Sequence, residues 1–123
     1  MPARFDTISF LSDYGLADEF VGVCKAVIRR IAPAAAVIDI CHEIPPHDLR
    51  AGSLTLARAA QYLPEGVVLA VVDPGVGSAR RAVAVEAGEG DAVFVGPDNG
   101  LLASGVAMTA TGLAAAFAVR RTA

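Results

Sequence analysis

The sequence predicts an α/β fold: three layers, with a mostly parallel sheet carrying helices on both faces. Three observations carry this expectation. Short, nearly continuous apolar runs alternate with longer segments of helical spacing. The runs are of the kind found in strands buried on both sides rather than on one. Several of them end abruptly in an acid followed by glycine or proline, as strands do where a sheet opens into a polar site.

Taken in order, Thr7 to Leu11 reads as the first strand. A helix follows from Asp18, with Phe20, Val23, Cys24, Val27, Ile28 and Ile31 at helical spacing. Asp18 and Glu19 suit its N-terminus, and Arg29 and Arg30 suit its last turn, where they complement the helix dipole. Pro33 stops it. Ala36 to Ile40 is the second strand. Pro45 and Pro46 break the chain before a second helix from about Asp48 to Tyr62, which ends ahead of Pro64. Val67 to Val72, Ala82 to Ala87 and Ala92 to Val95 are the third, fourth and fifth strands. Gly88-Glu89-Gly90-Asp91 is too short for a crossover, so the last two strands form an antiparallel hairpin.

The segment from Leu101 to Val119 carries no charge and has the length of a membrane span. It is mostly Ala, Gly, Ser and Thr, with few of the residues that drive insertion. A short helix, a small-residue loop and a buried strand near Ala114 to Val119 are expected instead, and no membrane association.

At 123 residues the chain makes one domain, and 54% hydrophobic against 19% charged residues excludes a disordered chain. Net charge is −3, with no basic run or arginine stripe, so no nucleic-acid partner is expected. Cys24 and Cys41 lack metal-ligand spacing and read as small buried hydrophobes in a reducing compartment. The N-terminus lacks the basic, apolar and small-residue pattern of a signal peptide, which makes cytoplasm the expected location.

The chemistry concentrates at three strand ends. Asp13 follows the first strand and precedes the first helix, with Gly15 leaving room for a backbone approach. A carboxylate there either accepts hydrogen bonds from a vicinal diol such as a ribose or caps the helix. Neither a dinucleotide glycine fingerprint nor a phosphate-binding loop is present. Asp73 ends the third strand, and Pro74, Gly75 and Gly77 shape a tight turn that can fold Arg80 back onto it. An arginine partner keeps a carboxylate ionised and fixes its orientation. Such a carboxylate positions a water or takes its proton; the alternative is an ion pair that braces a turn. Asp98-Asn99-Gly100 is either a turn alone or a turn whose side-chain amide reaches the pocket.

His42 and His47 lie five apart across two prolines with no second spaced cluster, so no metal site is expected. His42 reads as a strand-end side chain with a satisfied hydrogen bond. His47 either lies against a flat ligand or caps the second helix. Neither histidine has a nucleophile at a recognisable elbow, which leaves an acyl-transfer triad unsupported.

Several motifs, in order, resemble one family. They are Ser12-Asp13-Tyr14-Gly15 with Asp18, Gly22-Val23 with Lys25, His42-Glu43-Ile44 with Pro46, Val72-Asp73-Pro74-Gly75-Val76-Gly77-Ser78 with Arg80-Arg81, and Gly96-Pro97-Asp98-Asn99-Gly100-Leu101-Leu102. The family is the S-adenosyl-L-methionine (SAM) hydroxide adenosyltransferases, the adenosyl-forming SAM hydrolases related to fluorinase and chlorinase. The resemblance covers about Ile8 to Leu102. It implies cleavage of SAM by water at the ribose 5′ carbon, giving adenosine and L-methionine, with SAM as substrate and no cofactor. It further implies homotrimers in which SAM lies between the N-terminal domain of one subunit and the C-terminal domain of its neighbour. Asp13 matches the carboxylate that grips the ribose hydroxyls, and Asp18 a residue near the methionine end. His47 sits where halogenating relatives carry an aromatic residue beside the ligand. Asp73 and Arg80 match two members of the hydrolase Asp-Arg-His triad.

In the halogenating relatives the Asp73 position resembles an aromatic hydroxyl residue and the Arg80 position a threonine. An anionic Asp73 repels a halide and orients water, so hydrolysis is expected over halogenation. The short connection between Glu86 and Phe94 points the same way. By the same resemblance, the triad histidine and a β-rich, adenine-binding C-terminal domain are absent from residues 1–123. The chain is therefore expected to be an N-terminal SAM-binding domain that by itself binds SAM poorly and turns it over slowly or not at all. The alternative is a non-catalytic binding or assembly module.

Overall fold

A computed structural model describes residues 5–109 and 114–118 of the protein. Its elements are β1 (Thr7–Ser12), α1 (Phe20–Ile31), β2 (Ala36–Cys41), α2 (Leu49–Ala60), β3 (Gly66–Val71), β4 (Ala82–Ala87), β5 (Ala92–Pro97), α3 (Ala103–Ala107) and β6 (Ala114–Ala118). A single turn of tight helix, Gly88–Gly90, joins β4 to β5. The six strands lie in the order β2-β1-β3-β5-β4-β6. The pairs β2/β1, β1/β3 and β3/β5 are parallel, whereas β4 runs antiparallel to both β5 and β6. The α/β class, the mostly parallel sheet and the β4/β5 hairpin are therefore as the sequence predicts.

The connection β1-α1-β2 steps one way across the sheet, and β2-α2-β3 steps back over β1. Because both crossovers take the same right hand, the two helices fall on opposite faces. The side chains of β1 show both layers. Leu11 joins Leu56 of α2, Val68, Ala70 and Phe94 in the main core. Phe10 points the other way, in T-shaped contact with the rings of Tyr14 and His42, and Tyr14 in turn meets Phe20 at the start of α1. α3 packs on α2, where Gly105 admits Leu56. A Cβ on Gly105 would stand 2.7 Å from Leu56 Cγ and 3.0 Å from a ring carbon of Phe94.

One expectation needs correction here, and one helix is unevenly covered. The apolar residues of α1 do not all face the sheet. Val21 is buried and Cys24 and Ile28 are half-buried, while Phe20, Val23, Val27 and Ile31 are exposed. The helix carries two apolar stripes, and the sheet, which ends at the edge strand β2, covers only one. Nor are the cysteines fully buried: Cys24 and Cys41 are free and half-buried, and burial pushes the Cys24 thiol up. Helix α2 starts at Leu49, capped by the Asp48 carboxylate, which accepts from Ala51 N at 2.9 Å. His47 is thus not the cap. The expected loop before β6 and Val119 lie outside the described residues. Among the described residues, no helix is long and apolar enough to cross a membrane.

Candidate active site

Parallel pairing places the C-terminal ends of β1, β2, β3 and β5 on one edge, where open α/β sheets bind ligands. A cavity of about 380 Å³ opens there, lined by Asp13, Tyr14, Phe20, Pro46, His47, Val71, Asp73 and Val76. It draws on the segments following three strands, and two carboxylates share it. A larger cleft of about 530 Å³ near the end of α1 is lined by Phe5, Asp6 and Ile31 through Ala35. It holds one acid and no opposing polar group, so size does not decide the site. Convergent chemistry does.

Asp73 is the sharpest feature. Its side chain is 7% exposed, and Arg80 grips it with two donors. Nε reaches Oδ1 at 3.0 Å and an Nη donates to Oδ2. Such a bidentate fork fixes the plane of a carboxylate as well as its charge. The turn between them explains how seven residues bring these groups together. Val76 N donates to Asp73 O at 3.1 Å and Ser78 N to Gly75 O at 3.0 Å. Gly77 takes a left-handed φ of +81°, the conformation glycine adopts without steric cost. A Cβ on Gly75 would press to 3.2 Å from Ser78 Oγ and 3.4 Å from Arg80 Cγ. Donating to the Asp73 carboxylate raises the Arg80 guanidinium above its ordinary value.

Asp13 lies on the same cavity, its N–H bonded to Val71 O at 3.3 Å. One carboxylate oxygen accepts the backbone N–H of His47 at 2.7 Å. His47 holds a left-handed φ of 63°, a conformation costing of order 1 kcal/mol for a residue with a Cβ. His47 is among the residues that line the cavity. Tyr14 completes this wall. Burial pushes its phenol up, and Cys24, Asp13 and Asp73 add to the shift. At neutral pH it is therefore a hydroxyl donor.

The remaining sequence-predicted residues are placed elsewhere. Asp18 does not line the cavity; its Oδ1 accepts Phe20 N at 3.0 Å and so serves the start of α1. Asn99 does not line it either. Its amide nitrogen donates to Val72 O at 2.9 Å and its oxygen accepts Leu101 N at 3.1 Å. The nitrogen end thus braces the backbone next to Asp73, and the oxygen end closes the turn that Asn99 itself belongs to. Beside it, Arg81 pairs with Asp98 in an exposed bridge of 2.8 Å.

One feature escaped the motif reading. Ser12 Oγ lies 2.6 Å from His42 Nδ1, His42 Nε2 lies 2.8 Å from Asp39 Oδ1, and Lys25 Nζ lies 2.5 Å from Asp39 Oδ2. A sequence signal existed: Asp39 interrupts the apolar run Val37-Ile38-Asp39-Ile40. Burial alone would raise the Asp39 carboxyl, but the hydrogen bonds and charges of Lys25 and His42 outweigh it and hold it below the usual range. A lowered folded-state value means stability that is present above the ordinary aspartate range and lost as pH falls through the lowered one. The protein should therefore lose stability below about pH 4, and Asp39→Asn should flatten that part of a urea-midpoint titration. Because the Asp39 side chain is 42% exposed, solvent screening keeps the change small.

Comparison with known proteins finds relatives of this chain. Residues 8–122 match the family model described as the SAM hydroxide adenosyltransferase N-terminal domain. The chain is 59% identical over 95 residues to a protein named (R)-S-adenosyl-L-methionine hydrolase from Salinispora tropica, covering 77% of this chain and 36% of that protein. It is 30% identical over 121 residues to a fluorinase from Nocardia brasiliensis, covering 80% and 40%. Among solved structures, a conserved hypothetical protein from Thermus thermophilus superposes with a TM-score of 0.81 at 47% identity, over 95% of this chain and 48% of that one. The chain thus spans between a third and a half of the length of these relatives.

Proposed function

Because the chain belongs to the SAM hydroxide adenosyltransferase family, we propose that it is the SAM-binding N-terminal part of a hydrolase that cleaves S-adenosyl-L-methionine. Water attacks the ribose 5′ carbon, and adenosine and L-methionine leave. The observation that carries this reading is the pairing of Asp13 and Asp73 on one cavity, with Asp73 locked by Arg80.

In this reading Asp13 accepts the ribose hydroxyls and Asp73 orients the attacking water. The C5′–O bond forms as the C5′–S bond breaks, and the bonding pair passes to sulfur, which departs neutral. The water's proton passes to Asp73 or to solvent. A fixed carboxylate aimed at the developing charge needs no rearrangement during the reaction. Removing water from around the nucleophile strengthens the effect. Asp73 also disfavours a halide in the same place, which separates this reading from the fluorinases at 30% identity.

Self-association fits the exposed apolar stripe Phe20, Val23, Val27 and Ile31, which a subunit contact would cover. A homotrimer in the cytoplasm is the proposed form, with no nucleic-acid or membrane partner. The test is incubation of the purified protein with SAM in chloride buffer. Adenosine and methionine in equal amounts are expected. Formation of 5′-chloro-adenosine would overturn the choice of nucleophile, and SAM bound but uncleaved would make the chain a binding module.

A further inference from the structure

We propose that His42 is a positioning residue: the chain Ser12–His42–Asp39, buried at Ser12 and His42 and open to solvent at Asp39, sets the loop between β1 and α1 so that Asp13 meets the ribose. The proposal rests on the reading of Asp13 given above. His42 is 2% exposed and Ser12 fully buried, and each ring nitrogen of His42 has a partner. The Phe10 ring and the imidazole pack in a T-shaped contact, with centroids 4.7 Å apart.

The proton arrangement follows from the partners. Asp39 as a carboxylate only accepts, so Nε2 carries a proton, and in the neutral ring Nδ1 is then the acceptor. The Ser12 hydroxyl then donates to Nδ1, and its oxygen is left to accept Tyr14 N at 3.3 Å. A serine can donate once and accept at the same oxygen, so every group in the chain is satisfied.

The chain resembles a hydrolytic triad in composition, yet it is not one. Ser12 is closed to substrate, and the ring nitrogens are used in the reverse order from an acyl-transfer triad. What the chain does touch is the loop. Ser12 holds Tyr14 N, the His42 carbonyl accepts Gly15 N at 2.7 Å, and Glu43 Oε1 accepts Leu16 N at 3.0 Å. Residues 14, 15 and 16 are therefore tied in succession to Ser12, His42 and Glu43. Asp13, between Ser12 and these ties, has its own backbone N–H on β3 and its carboxylate on His47 N. A loop anchored at each neighbouring residue leaves the Asp13 carboxylate one place to stand. Polar chains of this kind fix geometry where an apolar core would leave it loose.

The test compares Ser12→Ala and His42→Phe with the parent protein in two measurements. The first is amide hydrogen exchange at Gly15 and His47, which should quicken in both variants while Val68 stays protected. The second is binding of adenosine and of 2′,3′-dideoxyadenosine, which lacks the diol. Adenosine should weaken by about tenfold and the dideoxy compound should not change. Damage to the fold would weaken both ligands alike, and that result overturns the proposal, as does unchanged exchange at both amides. If the parent protein itself does not distinguish the two nucleosides, the ribose role of Asp13 falls, and exchange alone then judges the positioning. Ser12→Ala removes only a hydroxyl, so the test survives a His42→Phe variant that fails to fold.

Discussion

Asp73→Asn should lower the rate of SAM cleavage by about 10²- to 10⁴-fold, the range typical of losing a positioned general base. Asparagine keeps the shape of the side chain and can still accept a hydrogen bond from Arg80, so the turn from Pro74 to Ala79 should persist. What it loses is the negative charge that, in the proposed mechanism, aligns water and takes up its proton. Arg80→Lys should give an intermediate loss. A lysine supplies one point charge where the guanidinium supplies two directed donors to Oδ1 and Oδ2. Adenosine release measured by chromatography under saturating SAM reads both variants. Cleavage by Asp73→Asn within a few-fold of the parent would remove Asp73 from the mechanism and leave its pair with Arg80 as a brace.

The largest expected effect on stability is at Leu56. Leu56→Ala should cost about 2–5 kcal/mol, the span seen when a buried leucine is cut back to alanine. Leu56 is fully buried in the main core and fills the space that Gly105 leaves open where α3 crosses α2. Two helices therefore lose contact at once. The consequence reaches the site, because α3 follows the tip of β5, and there Asn99 holds the Val72 carbonyl beside Asp73. Urea denaturation should show a lowered midpoint with an unchanged slope. A change below about 1 kcal/mol would mean that α2 and α3 repack into the void, contrary to the tight fit at Gly105.

Which parts of this protein were legible in its sequence follows from the range of the forces involved. Strands such as Val67 to Val72 and the hairpin at Gly88 to Asp91 are written in local composition, and the structure places β3 and β4/β5 within a residue or two of them. The pair Asp73 and Arg80 was equally readable, because a glycine-rich turn joins them over seven positions. α1 was less so. Periodicity shows that Phe20, Val23, Val27 and Ile31 share a face, but not that the sheet ends before reaching it. The roles of Asp18 and Asn99 depend on which way a short side chain turns within a loop, and local sequence leaves that open. The chain from Ser12 to Lys25 joins residues on β1, α1, β2 and the loop after it. Only the fold brings them together.

The central claim is that water, held by Asp73, is the nucleophile at the 5′ carbon. Cleavage of SAM in water enriched in heavy oxygen, with the adenosine analysed by mass spectrometry, tests it most directly. The account predicts one heavy oxygen in each new adenosine, located at the 5′ hydroxyl. Adenosine that forms without the label, or a product that carries chloride there instead, would contradict it.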